Sequence, residues 1–355
     1  MLASKIILAL KGSIAIKVVS LIGLSLCTIL YLPSDFALYY GVLAITGLSA
    51  PILLLGQQYL VADVSEKNLH SASNSAALIL LFVLGSVLIF SGKDLIIVVI
   101  IVIFCYLQAF SNFARLQSIN KNTLSSFLVI VATGVILGEI LKIILGSYTV
   151  KNGMVIGQLV SIVFPAFAYL TLKLNFSQLR KNLVFFRKKL LARLYALVIQ
   201  NSSIHVIPLL LTSMPINQDE VGKFLFAIMI VSMPALVLGK YLNDLFYIHY
   251  AKNRGESNNN LYKLILIYFF LLLAYLISRF FFNVFEVFDF MREEWQGTSD
   301  YFSSLIYLCF AQLVLNPILQ MYYQENTKLA SLINSARLLI VIVCCILFYF
   351  SYINL

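Results

Sequence analysis

The chain has 355 residues, 61% hydrophobic and only 11% charged, with a mean hydropathy of +0.95. A soluble domain carries about 25% charged residues, so a soluble globular protein and a disordered one are both excluded. The net charge is +10, but the bases lie mostly in short loops between apolar runs, which reads as bilayer orientation and anionic-lipid contact and not as nucleic-acid binding.

A helix crosses a bilayer with about 20 apolar residues. Eleven such runs are predicted, near 6–31, 36–62, 73–91, 95–114, 124–147, 153–173, 191–213, 221–248, 261–281, 301–322 and 327–352. Runs of this length do not fit the alternating strands of an outer-membrane barrel. The predicted fold class is all-α, a polytopic transmembrane bundle of 11 to 12 helices. The first run is too long for a signal-peptide core, so no cleavable signal is expected. No connection leaves room for a soluble catalytic domain. The five cysteines sit in apolar runs without a C-x-x-C pair and read as small buried hydrophobes.

In chain order, the first run carries Lys17 well inside it. The second follows Asp35 and contains Pro51, Gly56, Gln57 and Gln58, and Arg115 follows the fourth. The fifth carries Glu139 and Lys142, three apart on one helix face, where they can pair. Between the sixth and seventh runs, Arg180 to Arg193 holds six bases and no acid. This segment divides the chain into an N-terminal six-helix lobe (1–173), a basic cytoplasmic linker (174–190) and a C-terminal lobe of about five helices (191–355). It reads as a solvated topology determinant against anionic headgroups, with a specific headgroup site as the alternative. Gln200, Asn201 and His205 polarise the seventh run, Lys240 and Asp244 the eighth, Asn316 and Gln320 the tenth, and Arg337 the eleventh. His205 reads as a hydrogen-bonded core histidine. Counting Lys and Arg in alternate loops places the N-terminus in the cytoplasm.

An internal repeat is expected. Asp35, Pro51 and Gly56 are echoed by Asp219, Pro234 and Gly239, with five residues from Pro to Gly in both copies. The copies are six helices apart and therefore run in the same direction, as parallel repeats do. A proline frees a backbone carbonyl inside the membrane, which is tolerated where protein or a wet cavity satisfies it. The second and eighth helices are thus expected to line a cleft between lobes.

Charge at a span's centre costs about 2.5–3.5 kcal/mol on insertion scales, so such groups usually face the protein interior. Lys17, Arg115, Lys240 and Arg337 would make the cytoplasmic half of a cavity cationic, which suits an anionic cargo such as a pyrophosphate head. The competing reading is that each base snorkels to the headgroups. No metalloprotease, nucleophile-elbow, Walker A or dinucleotide motif occurs, so no catalytic residue, metal or cofactor is expected. Asp289, Glu293 and Glu294 read as a solvated acidic loop.

Four stretches, in order, resemble the oligosaccharide flippases of the multidrug/oligosaccharidyl-lipid/polysaccharide (MOP) exporter superfamily, the O-antigen transporters. Leu10-Lys-Gly-Ser13 with Leu32-Pro-Ser-Asp-Phe-Ala-Leu-Tyr39 is similar to that family's lysine-glycine opening and its Pro-x-Asp-Phe-Gly-Leu-Tyr lead into helix two. Asp219-Glu-Val-Gly-Lys-Phe224 with Pro234 and Gly239 is similar to its helix eight. Arg292-Glu-Glu-Trp-Gln-Gly-Thr-Ser-Asp-Tyr301 resembles the stretch before its helix ten, and Asn316-Pro317 ahead of Gln324 and Lys328 resembles its Ser-Pro and Gln-Lys pattern. The chain departs at Ala37, where the family has Gly, at Gln58 and Leu60, near the family's Arg and Glu, and in having eleven runs where the family has twelve or more.

The resemblance implies two pseudo-symmetric, MOP/MATE-like lobes and no enzyme activity. It implies alternating access that moves a polyprenyl-pyrophosphate-linked oligosaccharide, on undecaprenyl as carrier, across the bacterial inner membrane. Lys17, Arg115 and Lys240 would hold phosphates; Gln57, Gln58, Asn201 and Asn316 would hold sugar hydroxyls; Glu139 would couple transport to a proton or cation. Membrane lipids, a glycan polymerase and chain-length proteins are the expected partners. The alternatives are a multidrug exporter of the same superfamily, which predicts an acidic cavity, a membrane glycosyltransferase or polymerase, and a scaffold for other glycan-assembly proteins.

Overall fold

Backbone polar groups in hydrocarbon must be paired within their own segment, so these apolar runs have to be helices. The computed structural model describes residues 2–61, 63–90, 95–150, 152–168, 173–214, 217–230 and 293–298, together with 232, 301, 332, 335, 336, 338, 339, 342 and 343. Its elements are α1 (Leu2–Leu30), α2 (Pro33–Leu53), a 3₁₀ turn (Gln57–Leu60), α3 (Glu66–Phe90), α4 (Leu95–Asn120), α5 (Leu124–Ser147), α6 (Gly153–Phe167), α7 (Phe176–Phe185) and α8 (Arg187–Ser213). Helix continues over 218–230, a short 3₁₀ turn covers Glu293–Trp295, and no strand occurs among the described residues. Segments of α3, α4 and α5 are long and apolar enough to cross a membrane. Their outward side chains, among them Phe82, Val87, Val129 and Ile140, are exposed hydrophobics of the kind that lipid covers.

One expectation needs correction. The second run, 36–62, is not one helix: α2 begins at Pro33, whose fixed φ suits a first turn, and ends at Leu53. The break follows from the backbone at Leu55 (φ 48°) and Gly56 (φ 72°), both left-handed, which end the helix inside the predicted run. The segment 174–190, expected as a basic linker, is largely helical. It holds α7 and the start of α8, and α7 rests on α3. Pro234 and Gly239 of the expected repeat's second copy lie outside the described residues, as do Asp244, Gln320 and Arg337. Cys27 and Cys105 are buried and free.

α5 packs along α6 and α1, α4 along α6 and α2, and α2 along α8. The α5–α6 seam is made of small residues. Gly134 and Gly138 on α5 face Gly157 and Ser161 on α6, a pair of small-xxx-small patterns that lets two backbones approach closely in lipid. Pro165 removes the donor that would bond the Ser161 carbonyl one turn earlier. That carbonyl lies against Gly134, where a Cβ would stand 2.6 Å from it. A Cβ on Gly138 would stand 2.6 Å from the Gly157 carbonyl.

Because both obstacles are backbone atoms, no rotamer change relieves them. Gly138→Ala is expected to lower stability by about 1–3 kcal/mol, the usual cost of overpacking a tight core. Denaturation of the purified protein in detergent micelles measures it; a neutral result would remove the seam's steric role.

Candidate functional site

The seam positions a buried polar cluster. Glu139 and Lys142 lie on α5, one turn apart, and are 6% and 1% exposed. Lys142 Nζ donates to Glu139 Oε1 at 2.9 Å and to Gln158 Oε1 on α6 at 3.0 Å. Tyr39 of α2 donates its hydroxyl to the same Gln158 oxygen at 2.9 Å, and Lys142 Nζ stands 5.4 Å from the Tyr39 ring centroid. Two donors on one oxygen fix the orientation of the Gln158 amide. Tyr31, just past α1, donates to the Lys142 carbonyl at 2.8 Å. Glu139 packs against Gly23 of α1, and its second oxygen, Oε2, is buried with no hydrogen-bond partner among the described residues. Lys17, half-buried on α1, lies within electrostatic reach of both Glu139 and Lys142. Four helices thus converge on two ammonium groups and one carboxylate.

A second constellation gathers around the first turn of α2. The first turn of α2 has backbone N–H groups that need acceptors. Asp35 Oδ2 accepts from Leu32 N at 3.1 Å, and Asp219 Oδ1 accepts from Ser34 N at 3.0 Å, so a residue from the second half of the chain caps a helix of the first. Beside them Phe36, Phe226 and Trp295 meet edge to face, with centroid separations of 4.6 to 5.5 Å. Trp295 Nε1 donates to the Tyr31 carbonyl at 3.3 Å, and Gly222 lies against the Pro33 carbonyl. Glu220 accepts from Lys223 at 2.9 Å and from the Tyr301 hydroxyl at 2.7 Å. Those two hydrogen bonds hold its carboxyl below the ordinary value of 4.5.

The break in α2 forms a third feature. Gln57 is fully buried, and its Oε1 accepts from Asn182 Nδ2 of α7 at 2.8 Å. Asn182 Oδ1 accepts in turn from Gln178 at 2.9 Å. Gly56 approaches Leu190 at the start of α8.

The sequence-selected residues therefore separate. Lys17 and Glu139 share the buried cluster. Gln57 holds α7, and Gln58 lies in the adjoining 3₁₀ turn. Arg115 is half-buried on α4, where Nη1 donates to Asn112 Oδ1 at 3.1 Å along its own helix. Asn201 is half-buried on α8. Lys240 and Asn316 lie outside the described residues. His205, also half-buried, has its ring against Gly47 of α2. Tyr39, Gln158, Asn182 and Trp295 carry much of the geometry and were not selected from sequence. Tyr39 and Trp295 lie in stretches that carry the flippase resemblance. Gln158, one turn before Ser161, carries a polar side chain in the glycine-rich run that opens with Gly153-x-x-x-Gly157.

No protein-family model matches the chain, and no curated protein matches it. Among solved structures it is similar to the crystal structure of MATE in complex with MaL6, with 15% identity and a TM-score of 0.54, covering 94% of this chain and 86% of that one. At that identity the likeness defines the fold. The chain is a MATE-like, all-helical membrane bundle.

Two outcomes follow from the geometry. Removing one partner of a buried ion pair costs about 3–5 kcal/mol, whereas removing both is often nearly neutral. Lys142→Met is therefore expected to destabilise by that amount, and adding Glu139→Gln to recover most of it; chemical denaturation of the three variants completes the cycle. At the other constellation, a carboxyl depressed by folding contributes stability above 4.5 and loses it as pH falls through the lower folded value. Tyr301→Phe should lower the melting temperature above 4.5, with the difference shrinking in stronger acid; a difference that persists there would sink the assignment.

Proposed function

We propose that the chain is a flippase that carries a polyprenyl-pyrophosphate-linked oligosaccharide, with undecaprenyl as the carrier lipid, across the bacterial inner membrane by alternating access of two lobes. The observation that carries this reading is the clasp between the two halves. Three of the four stretches that resemble oligosaccharide flippases supply it: Asp35 and Phe36 from the first, Asp219 and Glu220 from the second, Trp295 and Tyr301 from the third. Closing one end of a two-lobed bundle leaves access at the other, as rocking transport requires. The MATE-like fold supports a membrane transporter over an enzyme.

In this reading the closed end faces outward and the N-terminus lies in the cytoplasm. The lobes span 1–173 and 191–355, joined through 174–190. Lys17, Arg115 and Lys240 hold the phosphates, and Asn201, Asn316 and Gln58 hold sugar hydroxyls. Gln57 reaches cargo only when Asn182 releases it. Glu139 is the coupling group: a proton on its buried Oε2 would weaken its grip on Lys142. A glycan polymerase and chain-length proteins would receive the product. The second reading, export of an organic cation, is favoured by the buried Glu139 side chain and opposed by the two lysines, Lys17 and Lys142, beside it.

Proteoliposomes loaded with a fluorescent lipid-linked oligosaccharide test both readings. Lys17→Ala is expected to weaken apparent affinity roughly tenfold to hundredfold, the loss of a charge-assisted hydrogen bond. A Phe36→Cys/Phe226→Cys pair is expected to stop transport on oxidation and restore it on reduction. Movement of an organic cation but not of the lipid-linked sugar would replace this reading with the second.

A further inference from the structure

α7 rests on the protein through half of its circumference. Leu179 packs into Ala72 and Ala76 of α3, and Asn182 makes the buried bond to Gln57. The other half faces away from every described helix and mixes two kinds of side chain. Phe176, Val184 and Phe185 are exposed, Phe185 by 87% and Val184 by 69%, and Arg180 and Lys181 stand exposed among them. Arg187 and Lys188 extend the same exposed surface into α8. No Asp or Glu occurs anywhere between Glu139 and Asp219, so no neighbour in sequence neutralises these bases.

Water alone is a poor partner for a phenylalanine as open as Phe185, and hydrocarbon alone is a poor partner for four bases. Apolar side chains interleaved with long bases match the boundary between headgroups and acyl chains, where Lys and Arg stems lie in apolar surroundings and their charged ends reach phosphate. We propose that α7 and the first turn of α8 form a docking surface for anionic phospholipid headgroups. Val184 and Phe185 seat at the acyl boundary, and Arg180, Lys181, Arg187 and Lys188 engage the phosphates. The surface needs a bilayer but not a sugar cargo, so it stands or falls separately from the flippase reading.

The full chain carrying Phe185→Trp, reconstituted in vesicles, tests the proposal, with the parent chain and its buried Trp295 as background. Tryptophan emission is titrated with brominated phosphatidylglycerol and with brominated phosphatidylcholine. Quenching by both is expected, with the anionic lipid favoured roughly fivefold or more, since each base near an anionic surface contributes about that factor. R180Q/K181Q/R187Q/K188Q in the same background is expected to bring the two lipids to parity. Should that variant fail to fold, about 1 M salt, where the screening length is about 3 Å, must erase the preference in the Phe185→Trp chain. Emission unquenched by either lipid, equal quenching by both, or a preference indifferent to salt overturns the proposal.

Discussion

The close approach of α5 and α6 is the constraint on which the rest of the N-terminal bundle depends. In lipid there is no hydrophobic force between helices, so association relies on dense contact and polar bonds. Glycine at 134, 138 and 157 supplies the first by bringing backbones together. The second follows from it, because only at that separation does Gln158 of α6 reach Lys142 of α5. Tyr39 then joins the same oxygen and draws in α2, while Glu139 settles against Gly23 and fixes α1. The polar cluster is therefore a product of the glycine seam. Burial of Lys142 is tolerable because its Nζ meets oxygens of Glu139 and Gln158 and the face of Tyr39.

The clasp is built on a different principle. Its parts are directional: a helix N-terminus met by carboxylates, three rings edge to face, an indole on a carbonyl. The seam and the clasp thus divide the labour. One brings helix backbones together through small residues, and the other joins two distant parts of the chain through directional bonds.

Much of the helical plan was legible in the sequence because apolar length alone fixes it. The run at 124–147 coincides with α5, which is bounded by turns and contains no breaker. The Glu139–Lys142 pair was legible because it is local: three residues apart on a helix means one face. What was not legible is what depends on distant partners. Nothing near Gln158 announces Tyr39 or Lys142. The end of α2 was not legible because the run 36–62 is apolar throughout, whereas the left-handed pair Leu55 and Gly56 ends the helix inside it. α7 was hidden because its inward face, Leu179, Asn182 and the half-buried Leu183, has helical spacing but sits inside a run read for its charge. The Gly134-x-x-x-Gly138 and Gly157-x-x-x-Ser161 patterns stand in plain view in the sequence and make the seam.

The cap on α2 has a consequence for biogenesis. Ser34 and Asp219 are 185 positions apart in the chain. At translation rates of about 5–20 residues per second, the amide waits on the order of ten to forty seconds before its acceptor leaves the ribosome. During that interval the opening turn of α2 relies on Asp35 alone, and the nascent N-terminal helices must stay in the membrane with one rim undressed. The order of insertion is thereby written into the architecture: the first half matures only when the second arrives to finish it.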